Sequence, residues 1–258
     1  MEILRFTLSG KHAFFKKPEV NSYCYFTYGN IHKVALLGIF GSILGYGGYT
    51  QMQGFIKEKK QAGLSRGYPE FYERLHPLKI SILPASGSKN GVIPKKIQTF
   101  NNSVGYASRE QGGNLIVKEQ WLECPQWEIC VLVDSEAAEQ VKDAICQKKC
   151  VYYPYLGKND HPADITNAGS ETAKLVEFKS GRLDCLMPKE AAEVHEPDFD
   201  DLDDLDGYTG FKYEEALPCG MDEWTNHYIM ETYLYTDAAV ETQAEVYQLE
   251  DGKKIIFY

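Results

Sequence analysis

Apolar and polar residues alternate over four short stretches of the chain, 2–8 (EILRFTL), 78–83 (LKISIL), 93–99 and 115–121, and 127–133 (WEICVLV) reads as a further strand. A period of two marks a half-buried strand, so five strands are expected. Helical spacing takes over at 33–45 (KVALLGIFGSILG), where Val34, Leu37, Ile39, Phe40, Ile43 and Leu44 crowd most of a helix surface and predict a core helix on a sheet. Gly38, Gly41 and Gly45 form a stripe along it. Each glycine costs a helix about 1 kcal/mol relative to alanine, which makes sense if the stripe lets a sheet or a ligand backbone come close. A second helix is expected from Asp134 or Ser135 to about Lys149, with Ser135 as its N-cap and Lys148 and Lys149 at its negative end. Between Gln51 and His76 two short amphipathic helices are expected around a loop at 63–67.

The order strand, helix, strand, hairpin, strand, helix is that of an α+β, ferredoxin-like (RRM-like) fold lacking only its last strand. Val151 or the run 173–178 (AKLVEF) is available to supply it. The hairpin is the segment 93–121, IPKKIQTFNNSVGYASREQGGNLIVKEQW. Its arms alternate, but the stretch between them from Asn101 to Asn114 is mostly polar or small, with no apolar core to fold on. Loops of that length inside a compact domain are usually functional or disordered. Two paired arms hold this one out as a projecting hairpin carrying Lys95, Lys96, Tyr106 and Arg109.

Charge changes the picture. The net charge of −10 argues against a polyanion partner. Its distribution does not: residues 1–118 hold 16 Lys and Arg against 6 Asp and Glu, whereas residues 181–258 hold 5 against 20. That asymmetry points to a polyanion-binding front and an acidic back. In the basic half, GKHAFFKKPEVNSYCYFTY sets Lys11, His12, Lys16 and Lys17 among Phe14, Phe15, Tyr23, Tyr25, Phe26 and Tyr28. Cations interleaved with aromatics suit a phosphodiester backbone with stacked bases. They equally suit a loop whose rings close the edge of a core.

Other chemistries are excluded or left bare. No GK[ST] follows the glycine stripe, so it is no phosphate-binding loop. No [KR]-G-[FY]-[GA]-[FY] run is present, so a generic RNA-recognition motif is excluded. The seven scattered cysteines include Cys146 and Cys150 one helical turn apart, without a second pair of zinc-site spacing. Free thiols, a cytoplasmic location, no metal and no cofactor are expected. The apolar run 34–44 is too short to cross a bilayer. His161 with Asp160 and Asp164 matches no metal cage. The acidic run 190–206 fails the EF-hand pattern about Gly207 and reads as a solvated, flexible insertion.

Taken together, LRFTLSGKHAFFKKPEVNSY, ALLGIFGSILG, TFNNSVGY with KEQWLECPQWEICVLVD, and YYPYLGKNDHPADI resemble the CRISPR-associated Cas-five family, most closely its type I-B branch. The resemblance runs through most of residues 2–180, with a weaker echo in VYQLEDGKKIIFY. It implies a ferredoxin-like domain over 1–180 with the thumb at about 93–121. The acidic C-terminal region would take 181–258, its flexible segment lying at about 190–207. It also implies a non-catalytic Cascade subunit capping the 5′ handle of CRISPR RNA. Its partners would be a Cas-seven backbone subunit, the Cas-eight large subunit and, through the assembled complex, target DNA; a membrane is not among them. The RNA contacts that resemblance and side-chain chemistry together suggest are Lys16, Lys17, Asn21, Lys95, Lys96, Thr99, Asn101, Asn102, Ser103, Tyr106 and Arg109.

Two alternatives stand beside this one, a stand-alone RNA-binding module and a ribonuclease. The type I-C branch of the family cuts precursor RNA without metal, using Tyr, Lys and His. In this chain no histidine lies between His76 and His161, so a thumb without a histidine is expected to hold RNA without cutting it. Tyr46, after the glycine helix, has no partner evident in the sequence. The YYPYLGKNDHPADI loop either touches the RNA or locks the thumb base.

Overall fold

The computed structural model describes residues 1–18, 23–52, 67–84, 90–103, 105, 109–111, 113–195 and 210–258. The expected Asn21 and Tyr106 contacts, most of the helices expected in 51–76, and the acidic residues 196–207 lie outside them. The first half runs β1 (Glu2–Ser9), β2 (His12–Ala13), α1 (Lys33–Leu44), α2 (Glu70–Leu75), β3 (Ile80–Pro84), β4 (Lys95–Asn101), β5 (Ile116–Glu123), β6 (Gln126–Leu132) and α3 (Glu136–Cys146). The second half is nearly all strand: β7 (Asp164–Thr172), β8 (Lys174–Val176), β9 (Met187–Pro188), β10 (Ala192–His195), β11 (Lys212–Met221), β12 (Tyr228–Thr236), β13 (Ala239–Thr242), β14 (Val246–Gln248) and β15 (Lys254–Ile256).

Strands β3, β6, β1 and β7 form one antiparallel sheet in that order. With α1 after β1 and α3 after β6, this is the ferredoxin-like arrangement. Its closing strand is β7, which corrects the expectation of Val151 or 173–178: Lys174–Val176 instead pairs with β14. The sequence DITNAGSET reads poorly as a strand because it lies at the sheet edge, half-burying Ile165 and Ala168. A register shift opposite Arg5 and Thr7 and a left-handed Asn167 at φ +52° break its alternation further.

Both faces of the sheet are covered. Leu4, Phe6 and Leu8 of β1 and Trp127, Ile129 and Val131 of β6 pack under α1 and α3. On the opposite face Ile3, Cys130 and Leu132 join Leu183, Cys185, Leu234, Val246 and Ile255 of the C-terminal region in a second core. The last residue, Tyr258, exchanges both backbone hydrogen bonds with Ile80 at 3.1–3.2 Å, so the chain end covers the β3 edge. On the Ile3 face of β1, Arg5 reaches Glu128, Glu171 and Asp251, and Lys253 meets Glu128 at 2.9 Å. Residues 190–195, expected to be flexible, are a short turn and strand β10 paired with β13.

The ends of α1 are specified locally. His32 caps it, Nδ1 accepting the Ala35 N–H at 3.2 Å, and Gly45 ends it in the left-handed region at φ +81°. The glycine stripe meets neither sheet nor ligand backbone at Gly41: a side chain there would collide with Phe71 of α2, its Cβ only 2.4 Å from that of Phe71. At Gly38 the space is open. Ser135 caps α3 as expected, accepting the Ala138 N–H at 3.3 Å. Lys148 and Lys149 lie beyond its C-cap Gln147.

Candidate nucleic-acid interface

The thumb is a hairpin of β4 and β5 inserted between the second and third strands of the ferredoxin-like sheet, registered from Lys95 opposite Leu122 to Asn101 opposite Ile116. On its far side β5 takes β2, His12 opposite Glu123. It also takes a short stretch at Tyr25, whose N–H reaches Lys118 O at 2.9 Å and whose carbonyl accepts the Gln120 N–H at 2.8 Å. The basic, aromatic N-terminal segment therefore flanks the thumb base.

Alternation gives the hairpin two unlike faces. One carries Lys96, Gln98, Phe100, Val117, Glu119, Trp121 and Glu123, and the 152–163 loop closes over it. Glu119, 7% exposed, accepts hydrogen bonds from Trp121 Nε1 at 2.7 Å and from Lys158 Nζ at 2.8 Å, and the Lys158 ammonium lies 5.0 Å from the Phe100 ring. The loop is pinned in turn: Phe14 N–H donates to Leu156 O at 3.0 Å, and Leu156 N–H to His161 O at 2.8 Å. Of the two roles open to the loop, these contacts are those of a lock on the thumb base.

The other face presents Lys95, Ile97, Thr99, Asn101, Ile116 and Lys118, all exposed, with Leu122 buried at its root. At that root a side chain at Gly29 would begin 3.5 Å from the Lys95 ammonium, which Glu215 attracts.

The expected contact residues divide accordingly. Lys95 and Thr99 stand on the outward face. Burial pushes the Lys95 ammonium below its usual value and Lys17 adds to this, while Glu215 pulls it back. Lys96 turns to the inward face and pairs with Glu123 at 3.2 Å. Lys17 pairs with Glu215 at 2.9 Å, a carboxylate that also accepts the Gly29 N–H and the Tyr213 hydroxyl. Lys16 stays exposed, its ammonium 4.0 Å from the centre of the Tyr25 ring. Asn101, Asn102 and Ser103 close the tip: Asn101 Oδ1 accepts the Ser103 N–H at 2.9 Å, Asn102 N–H reaches Leu115 O at 2.8 Å, and Ser103 Oγ accepts the Leu115 N–H. Arg109 is exposed at that tip. Lys118 escaped the sequence reading because only the register, opposite Thr99, shows which way it faces.

One expectation is overturned. The thumb base holds two histidines, both distant from it in sequence. The His12 and His161 rings lie 5.4 and 4.5 Å from the Trp121 ring and 5.8 Å from each other. Burial depresses both imidazoles. His161 is 3% exposed, and neither ring nitrogen has a partner among the described residues. Tyr46, for its part, donates its hydroxyl to Gln140 at 2.8 Å, with Arg74 over its ring.

Among the described residues no cluster of His, Cys, Asp or Glu is arranged to hold a metal. All seven cysteines are free. No helix among them is long and apolar enough to cross a membrane.

No protein-family model matches this chain, and no curated protein does. Among solved structures, a CRISPR protein from Archaeoglobus fulgidus aligns with it at a TM-score of 0.50 and 10% identity, over 99% of this chain and 98% of that one. A chain of a CRISPR RNA-guided surveillance complex aligns at 0.48 and 13% identity, over 92% and 90%. A chain of the type III-B Cmr-beta complex bound to cognate target RNA aligns at 0.48 and 11%, over 93% and 86%. At these identities the likeness is one of fold, and it is the Archaeoglobus protein that carries it.

Proposed function

We propose that this chain is an RNA-binding subunit of a CRISPR surveillance complex, of the Cas-five kind and type I-B-like. Its thumb caps the 5′ handle of the CRISPR RNA beside Cas-seven and Cas-eight subunits, and target DNA is met only through the assembly. The observation that carries this reading is the outward thumb face. A hairpin braced on one side by an ion-paired loop leaves Thr99, Asn101 and Lys118 exposed on the other face, with Lys95 at its root and Arg109 exposed beyond. Cations there meet phosphates and amides meet base edges, the contacts that a splayed single strand offers. The likeness in fold to a CRISPR protein over almost the whole chain supports the assignment. Glu215 of β11 neutralises Lys17 beside the thumb base.

The two histidines support a second reading, a metal-independent ribonuclease. General acid–base catalysis needs an imidazole within hydrogen-bond reach of the reacting oxygen. His161 keeps both nitrogens buried, leaving the half-buried His12 to face substrate alone. The binding reading is therefore preferred. One experiment separates the two: end-labelled CRISPR repeat RNA is incubated with the pure protein in EDTA and followed by native and denaturing gels. We expect a shifted, uncut RNA. Cleavage at one position, abolished by His12→Ala, would establish the nuclease instead.

A further inference from the structure

Two side chains carry the 152–163 loop onto the thumb. Lys158 places its ammonium 2.8 Å from Glu119, and 5.0 and 5.4 Å from the centres of the Phe100 and Trp121 rings. His161 sets its imidazole edge-on to Trp121, with 4.5 Å between ring centres. The backbone of His161 also closes the loop on itself, its N–H donating to Lys158 O at 2.9 Å and its carbonyl accepting the Leu156 N–H at 2.8 Å. Leu156 O in turn accepts the Phe14 N–H at 3.0 Å. One residue thus joins the turn of the loop to the inward face of the thumb.

The His161 ring is 3% exposed, and neither Nδ1 nor Nε2 has a hydrogen-bond partner among the described residues. A neutral imidazole leaves one buried N–H unsatisfied there; a charged one leaves two donors and a whole charge, at far greater cost. The groups around it do not offset that difference. Asp160 on the loop and Glu119 on β5 attract a proton, and Lys158 on the loop and His12 on β2 repel it. Burial is the largest influence, and the net push is toward the neutral ring. His12, 5.8 Å away, lies among Lys11, Lys96 and Glu123 and is pushed the same way, burial again leading. When the loop lifts, the His161 ring enters water and titrates as an ordinary histidine.

We propose that His161 is a pH-sensitive latch: neutral, it holds the 152–163 loop against Trp121, and protonated, it leaves the thumb and takes the loop and Lys158 with it. Above about 6.5 the ring is neutral whether the loop is closed or open, and the closed form is at its most favoured. Below that value the open form gains a proton that the closed form refuses, so opening becomes about tenfold more favourable for each further unit of pH. At about pH 5 the gain reaches about thirtyfold. The latch belongs to the fold and is independent of what the thumb binds.

The test is hydrogen exchange of the full chain and of His161→Phe at about pH 7 and about pH 5, corrected for intrinsic exchange rates, beside an NMR titration of the wild-type His161 ring. The Phe14 and Leu156 amides report the loop, and the amides of β6 report the whole fold. Between the two pH values the wild-type loop amides should lose protection about tenfold or more while β6 loses less, and His161→Phe should keep its loop protected. The ring should titrate below about 6.5, in step with the Trp121 indole N–H that Glu119 accepts. Equal loss in the wild type and His161→Phe would assign the opening to another group and overturn the proposal. So would loss at β6 in step with the loop, which is unfolding of the whole chain. If phenylalanine disturbs the site, the wild-type titration decides alone. A ring that charges at its ordinary value while Leu156 stays protected charges in place, and then there is no latch.

Discussion

Acid is expected to destabilise this protein through His32 by about 3 kcal/mol between pH 7 and pH 4.5, at 1.36 kcal/mol for each unit below the unfolded-state value. Burial at the head of α1 drives the imidazole down to about 3 from its ordinary value of 6.5. The sign follows from proton uptake. Above 6.5 the ring is neutral in both states and its stability is fully present. As the pH falls toward 3, the unfolded chain takes up a proton that the folded one refuses, and stability is lost over that window. The ring cannot charge in place without burying a cation among Phe15, Tyr28 and Tyr228. Other groups tilt the same way. Burial alone would raise Glu128 and Asp251, but Arg5 and Lys253 hold both below the ordinary carboxylate range. The control is therefore His32→Asn, which keeps an N-cap acceptor and removes the titration. Urea unfolding at the two pH values should show a curve flatter by most of that 3 kcal/mol in the variant. Parallel curves would mean that His32 charges freely in the folded protein.

Gly157→Ala is expected to cost about 3 kcal/mol or more, and so to lower the melting temperature by about 6–12 °C for a chain of this size. Gly157 sits at φ +85°, and a Cβ there would lie 2.0 Å from the carbonyl oxygen of Phe14. That oxygen belongs to a backbone held by the Phe14–Leu156 hydrogen bond and cannot rotate away as a side chain would. Relief requires the loop to lift from the N-terminal segment, and the same loop presents Lys158 to Glu119 beneath the thumb. Differential scanning calorimetry of Gly157→Ala beside Gly38→Ala, where the space is open, isolates the collision from the loss of a glycine. Equal melting temperatures for the two would refute it.

Much of the scaffold was legible because periodicity and capping are local. The helix at 33–45, the capped helix after Ser135 and the hairpin arms all appear where their patterns place them. What escaped depends on pairing across long sequence separations. Strand β7 is an edge strand with a bulge and two half-buried apolar residues, so no alternation announced it. The cover over the second sheet face did leave a trace, since the run ICVLV in β6 is apolar on both sides and only a doubly buried strand is built that way.

The candidate site divides on the same principle. The hairpin and its polar tip were readable, but which lysines face outward was not. That depends on Glu123 and Glu215 capturing Lys96 and Lys17, and on a loop some forty residues further along the chain closing one face. The histidines were missed because proximity in sequence stood in for proximity in space. Strand β2 brings His12 beside Glu123, and the 152–163 loop brings His161 onto Trp121.

The central claim, that the outward thumb face holds RNA by its phosphates, is tested most directly by the salt dependence of repeat-RNA binding. A single strand loses about 0.7 in the slope of log K against log salt for each phosphate contact removed. The triple variant Lys95→Ala, Arg109→Ala, Lys118→Ala should therefore bind more weakly with a slope shallower by about 2, whereas Lys17→Ala with Lys96→Ala, both already ion-paired, should leave the slope nearly unchanged. An unaltered slope in the triple variant would contradict the account.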